Sequence, residues 1–230
     1  GLVTGATGYV GSHVVTELLE RGWAVRTLSR SRDKALSMTW GDRIVPPGSR
    51  ATPGHVEVIE GDASRKEDVQ RALSGTDAAW YLLHSMSSGD DFMEDEKRMA
   101  EAFGSAAREE GVGRIVFLGG LHPEGGDLSE HLASRVAVGE ILMNSGVPTA
   151  ALQAGVVLGD KSSSFQMLRH LSERLPGAIG PAWIKHRITP ISVRDAVFYL
   201  ASAADLPAEQ NRTFDLSLIH ISEPTRQAEI

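Results

Sequence analysis

Thr4-Gly5-Ala6-Thr7-Gly8-Tyr9-Val10-Gly11 stands between a short apolar run, Gly1–Thr4, and an amphipathic helical pattern that occupies Val10–Arg21. A glycine-rich turn that joins a strand to a helix is a phosphate-binding arrangement, and each glycine answers a distinct demand. Gly5 lets the chain turn sharply off the strand. Gly8 removes the Cβ that would block approach of the backbone to a pyrophosphate, and Gly11 lets the helix pack closely on the sheet. The helix N-terminus then turns its N–H groups and the positive end of its dipole toward the phosphates, so Thr7, Tyr9 and Val10 join the glycines as candidate dinucleotide contacts.

Outward from this turn the period keeps switching between strand and helix. Apolar runs at Ala24–Leu28, Val56–Ile59, Ala78–Leu83, Ile115–Leu118 and Ala150–Leu158 alternate with helical patterns at Lys66–Leu73, Asp91–Glu110 and Ser129–Asn144. This alternation predicts βαβ units with right-handed crossovers and a parallel sheet covered on both faces, an α/β doubly wound (Rossmann) fold. Within Asp91–Glu110, Met99, Phe103, Ala106 and Ala107 share an apolar face while Glu101, Arg108 and Glu109 face water. Two stretches break the rhythm. Met38–His55, with Pro46, Pro47 and Pro53, reads as an extended loop, and Asp160–Arg187, with Pro176, Pro181 and Trp183, as a small substrate-side lobe.

Composition narrows the function classes. The 230 residues carry 23 basic and 30 acidic side chains, a net charge of −7, so there is no net basic field to gather nucleic acid or anionic lipid. No apolar run approaches the roughly 20 residues that span a bilayer. With no cysteine there is neither a disulfide framework nor a thiolate ligand, and the eight histidines show no pairing at metal-ligand spacing. The expectation is a cytoplasmic protein that acts on a small molecule, with oligomeric state left open.

TGATGYVG in the first βα unit resembles the TGxxGxxG motif of the short-chain dehydrogenase/reductase superfamily. Gly61-Asp62 after the third strand, YLLHSM ending the fourth, FLGGL at the fifth, LSEHLASRVAVGEIL on the next helix and TPISVRDAV near the end together look like its atypical, NmrA-like, extended-type members. The resemblance covers Gly1 to about Asp215.

NAD-preferring folds of this kind place an acidic residue about 20 positions beyond the glycine motif, to hold the ribose 2′-hydroxyl. Here Arg30 occupies that place, in Ser29-Arg30-Ser31-Arg32, with no carboxylate before Asp33. A guanidinium grips a 2′-phosphate that a carboxylate would repel, and serine hydroxyls add hydrogen bonds. The expected cofactor is therefore NADP(H) rather than NAD(H), with Ser29 and Arg30 at its adenosine end. Asp62, with Ala63 beside it, looks like the family's adenine-side residue; an Asp there equally suits the cap of the following helix.

The resemblance also implies a Tyr-x-x-x-Lys pair on the helix after the fifth strand and a Ser at that strand's end, and here the sequence departs from it. His131 stands at the Tyr position, Arg135 at the Lys position, and Gly119 and Gly120 where the Ser would be. Four residues apart, His131 and Arg135 share one helical face. His131 can donate a proton near neutral pH, whereas Arg135, always charged, can only orient or stabilise charge. Both equally suit hydrogen bonding across helix–sheet packing. His84 and Ser85 end the fourth strand, at the edge where ligands bind in open α/β sheets. Ser162–Ser164, Phe165 and His122 are weaker candidates for the substrate side.

Three function classes follow: an NADP(H)-dependent oxidoreductase reducing a small carbonyl, quinone or enone compound; a non-catalytic NADP(H)-binding redox sensor or assembly factor; and a nucleotide-sugar epimerase or dehydratase, weakened by the missing Tyr. At the far end, Leu216–Arg226 reads LSLIHISEPTR, which resembles the translation of a sequencing adapter. The expectation is a Rossmann domain over residues 1–215, with 160–187 as its lobe, and a non-native tail at Leu216–Ile230; the other reading is a native strand followed by a polar tail. A first strand already in progress at Gly1, with no initiator Met, likewise suggests the inside of a longer reading frame.

Overall fold

The computed structural model describes residues 1–83, 92–122, 128–160, 162, 165–166, 169–170 and 189–216. The first half alternates as its periodicity predicts, with one short helix, α2, that it did not: β1 (Leu2–Thr4), α1 (Tyr9–Glu20), β2 (Val25–Ser29), α2 (Arg32–Leu36), β3 (Val56–Glu60), α3 (Lys66–Leu73) and β4 (Ala78–Tyr81). Then come α4 (Phe92–Glu109), β5 (Arg114–Gly120), α5 (Glu130–Met143), β6 (Thr149–Ala154), β7 (Val156–Leu158), β8 (Pro190–Ser192), α6 (Val193–Ser202) and β9 (Arg212–Leu216). The main sheet has the order β3-β2-β1-β4-β5-β6-β9, with every pairing parallel.

Because each central strand is covered on both sides, successive side chains enter two different cores. Val3, Trp80 and Val116 point into the layer filled by Val14, Val15 and Leu18 of α1 and Ala196 and Leu200 of α6. Leu2, Ala79, Tyr81, Ile115 and Phe117 point into the layer of Val69 and Leu73 of α3, Phe103 and Ala107 of α4, and Val138 and Leu142 of α5. Trp80 is fully buried, and its indole N–H donates to the Leu200 carbonyl at 2.8 Å, tying sheet to helix.

Three sequence expectations need adjustment. The run Ala150–Leu158 is not one strand. It breaks at Gly155, where a Cβ would lie 1.9 Å from the Thr189 carbonyl oxygen, and its second half leaves the main sheet to pair with β8. Met38–His55 is more than an extended loop, since it contains a 3-10 turn at Gly41–Arg43 and seats Trp40 in the core, with its indole N–H donating to the Ser12 hydroxyl at 3.2 Å. Leu216, the first residue of the expected tail, ends β9 opposite Ala154 and is buried. Residues 217–230 and most of the expected lobe at 160–187 lie outside the described residues. Among the described residues, no helix is long and apolar enough to cross a membrane.

Candidate dinucleotide and active site

Strand order reverses between β1 and β4, and the crevice at the carboxyl ends of such a pair is where ligands bind in open α/β sheets. Buried Thr4 closes the two strand ends on each other, donating to the Trp80 carbonyl at 3.0 Å and accepting from the Leu82 N–H at 3.3 Å. The glycine turn is built against this junction. Gly5 has φ +68°, and a Cβ on it would stand 2.4 Å from the Leu82 oxygen. A Cβ on Gly11 would stand 2.2 Å from the Gly5 oxygen, so the helix can lie this close to the turn only with glycine there. Gly8 differs: it is the exposed N-cap of α1, and its Cβ would meet only the Gly5 oxygen, at 3.1 Å.

The opening of α1 is shaped for an anion. Its cap supplies no side-chain acceptor and its first turn holds no acid, so the helix's positive end faces the crevice uncompensated. These features fit a pyrophosphate: a bare Cα at Gly8, a helix N-terminus, and room on the outer side. Thr7, Tyr9 and Val10 are half-buried around it. The Tyr9 ring meets His13 edge-on at 5.0 Å, and its hydroxyl lies over Gly159, where a Cβ would be 2.1 Å away.

At the end of β2, Arg30 is exposed while Ser29 is buried. The Ser29 hydroxyl donates to the Ser31 carbonyl at 2.9 Å, shaping the turn from which Arg30 projects, and Ser31 caps α2 by accepting from the Lys34 N–H. Asp62 lies after β3 with half-buried Ala63 beside it. It does not cap α3, whose cap is Arg65; one carboxylate oxygen instead accepts from the Ser64 N–H and hydroxyl, each at 2.9 Å. Those two bonds, with smaller help from the charges of Arg30 and Arg65, hold its carboxyl below the usual carboxylate range. Arg30, Asp62 and Arg65 thus share one electrostatic neighbourhood beyond the carboxyl ends of β2 and β3.

At the other end, the two residues expected to act together make different contacts. The Arg135 guanidinium donates to the Leu83 carbonyl at 2.9 Å and to the Leu118 carbonyl, and lies 4.6 Å from the centre of the Phe117 ring. It therefore ties α5 to the carboxyl ends of β4 and β5. Burial lowers its pKa, against the opposing pull of the Glu96 and Tyr81 oxygens. Exposed His131 rests its ring on Phe92 of α4, 5.0 Å between centres. His84 and Ser85 lie outside the described residues, as do Ser163 and Ser164. Ser162 donates to the Val157 carbonyl and accepts from the Phe165 N–H, a local turn.

Behind Arg135 is a buried polar group that the sequence reading missed. Glu96 of α4 is 5% exposed and accepts from the hydroxyl of fully buried Ser134, while the Tyr81 phenol, also buried, has its pKa raised. The signal was present: Glu96, Ala100, Phe103 and Ala107 fall on one helical stripe, so an acid stands at a core position. A cavity of about 250 Å³ opens beside Arg135, between α5 and β5, β6 and β9. Its floor includes Gly119, Gln153 and Asp215, which are register partners across three strands, and its rim includes His122.

The profile of a family described as NAD(P)H-binding matches residues 5–147. A ceramide reductase of Caulobacter vibrioides is 27% identical over 228 residues, which is 97% of this chain but 64% of that protein, so the chain spans less than two thirds of its relative. Among solved structures, the triphenylmethane reductase of a Citrobacter species, in complex with NADP(H), superposes with a TM-score of 0.71 at 21% identity, over 94% of this chain and 69% of that one. The UDP-N-acetylglucosamine 4-epimerase of Bacillus cereus superposes with a TM-score of 0.65 at 16% identity, over 94% and 76%. At these identities the structural likeness is one of fold.

Proposed function

The chain belongs to this NAD(P)H-binding family, and from that premise we propose that it is an NADP(H)-dependent reductase of a small carbonyl, quinone or enone compound. The observation that carries the cofactor choice is Arg30. It is the exposed residue at the end of β2, where an NAD-preferring fold would hold a carboxylate. The NADP(H) bound by the Citrobacter reductase supports the same choice, and the ceramide reductase supports reduction as the reaction class.

When bound, the reduced nicotinamide supplies a hydride. The chain's part is to hold and orient. Gly8 and the start of α1 receive the pyrophosphate, Arg30 the 2′-phosphate, and Asp62 the adenosine end. Arg135 keeps the carboxyl ends of β4 and β5 together and puts a cation beside the reacting region, where it favours an oxygen that gains negative charge. The test is to titrate the chain with NADPH and NADH and then follow loss of NADPH absorbance across a panel of aldehydes, ketones, quinones and enones. Preferential NADPH binding with turnover on any class supports the reading. One observation favours a second reading, a non-catalytic NADP(H) sensor or assembly factor: the Arg135 guanidinium is already bonded to two backbone carbonyls. Tight binding with no turnover would select it.

A further inference from the structure

We infer that His122 is the proton donor of the proposed reduction, an inference that rests on that reading. His122 lies two residues beyond the end of β5, at the carboxyl edge of the sheet. The intervening Leu121 N–H donates to the Ala154 carbonyl at 2.8 Å, which keeps the exit of β5 paired with the end of β6 and holds His122 over that edge. Its Nδ1 is 3.3 Å from the Gly120 carbonyl oxygen. An Nδ1–H that donates there leaves Nε2 as the nitrogen that exchanges a proton.

His122 and Arg135 line the same cavity, whereas His131 is not part of its lining. Gly119 and Gly120 put no side chain of their own into it; a Cβ on Gly120 would meet the Leu132 side chain at 2.6 Å, and one on Gly119 the Phe117 ring at 3.1 Å. The other charged groups that line the cavity are Arg135 and Glu140 from α5 and Asp215 from β9. The cavity measures about 250 Å³, close to the lower end of small-molecule sites at roughly 300 Å³.

Hydride from the reduced nicotinamide forms a C–H bond at the carbonyl carbon as the C=O π bond opens onto oxygen. That oxygen takes the proton from His122 Nε2. The carbonyl is reduced to an alcohol, the nicotinamide is oxidised, and the neutral imidazole regains a proton from water.

Two arms test this. In the first, His122→Gln and His131→Gln are compared with the unaltered chain for NADPH affinity by fluorescence and for single-turnover reduction of phenanthrenequinone and menadione. His122→Gln is expected to keep NADPH affinity within about twofold and to slow reduction by about 100-fold or more, whereas His131→Gln is expected to leave both affinity and rate within about twofold. In the second, the imidazole signals of the unaltered chain are titrated by NMR with NADPH or NADP+ bound. His122 is expected to titrate at lower pH beside the positively charged oxidised ring, with His131 indifferent. A full reduction rate in His122→Gln, or identical His122 titrations in the two complexes, overturns the inference. If neither quinone is turned over, the NMR arm alone decides. A chain that binds neither nucleotide removes the proposed function itself, which separates that failure from this one.

Discussion

A single Cβ distinguishes the jobs of the glycines. At Gly11 it would collide with backbone, 2.2 Å from the Gly5 oxygen, so Gly11→Ala is expected to cost about 1–3 kcal/mol in urea unfolding as the helix shifts off the turn. At Gly8 the backbone is extended, φ −82° and ψ 171°, and an added carbon would meet only the Gly5 oxygen, at 3.1 Å. Gly8→Val should therefore leave the unfolding midpoint within about 1 kcal/mol of the unaltered chain while abolishing NADPH binding; retained affinity would move the pyrophosphate elsewhere. Arg30 is legible for the opposite reason, since its value lies in what it is not. Arg30→Asp is expected to lose about 1.5–3 kcal/mol of NADPH affinity by calorimetry and to gain relative preference for NADH. Gly5 and Gly11 could be read from sequence because backbone geometry dictates residue type locally. Asp62 could not be assigned, because whether it caps a helix or turns on Ser64 depends on where α3 begins, and that is set by Arg65 and Asp68.

Elements were legible where burial is periodic and opaque where one tertiary contact overrides it. Lys66–Leu73 is a helix with those bounds because its apolar and charged positions separate cleanly. The break at Gly155 depends on Thr189, 34 residues away in the chain, and no local pattern announces it. Arg135 has the same character. Its spacing from His131 suggested a shared cleft, yet its hydrogen bonds run to Leu83 and Leu118 and its charge sits near Glu96. As a link among α4, α5, β4 and β5 it should matter to stability beyond any role in turnover. Arg135→Met would strip the Leu83 and Leu118 carbonyls of a donor, and is expected to cost about 1–3 kcal/mol in urea unfolding. A loss below about 0.5 kcal/mol, ordinary for a surface change, would mean that these bonds hold nothing together.

For the whole molecule, alternating strand and helix periods determined the doubly wound class, because right-handed crossovers leave few other ways to cover both faces of a parallel sheet. Periodicity did not reveal that Pro190–Leu216 completes it, since β8 is three residues long and pairs outside the main sheet. The glycine turn, Arg30 and Asp62 all stand along the carboxyl edge of that sheet, and a ligand that bridges them stabilises the native state alone. NADPH at about 100 times its dissociation constant is expected to add about 2.7 kcal/mol, which for a chain of this size raises Tm by roughly 5–10 °C, with less from the same concentration of NADH. The most direct measurement is calorimetric titration of the unaltered chain with NADPH and NADH side by side. The account predicts that NADPH binds at least about tenfold more tightly, the equivalent of about 1.4 kcal/mol, and equal affinities, or no binding of either, would contradict it.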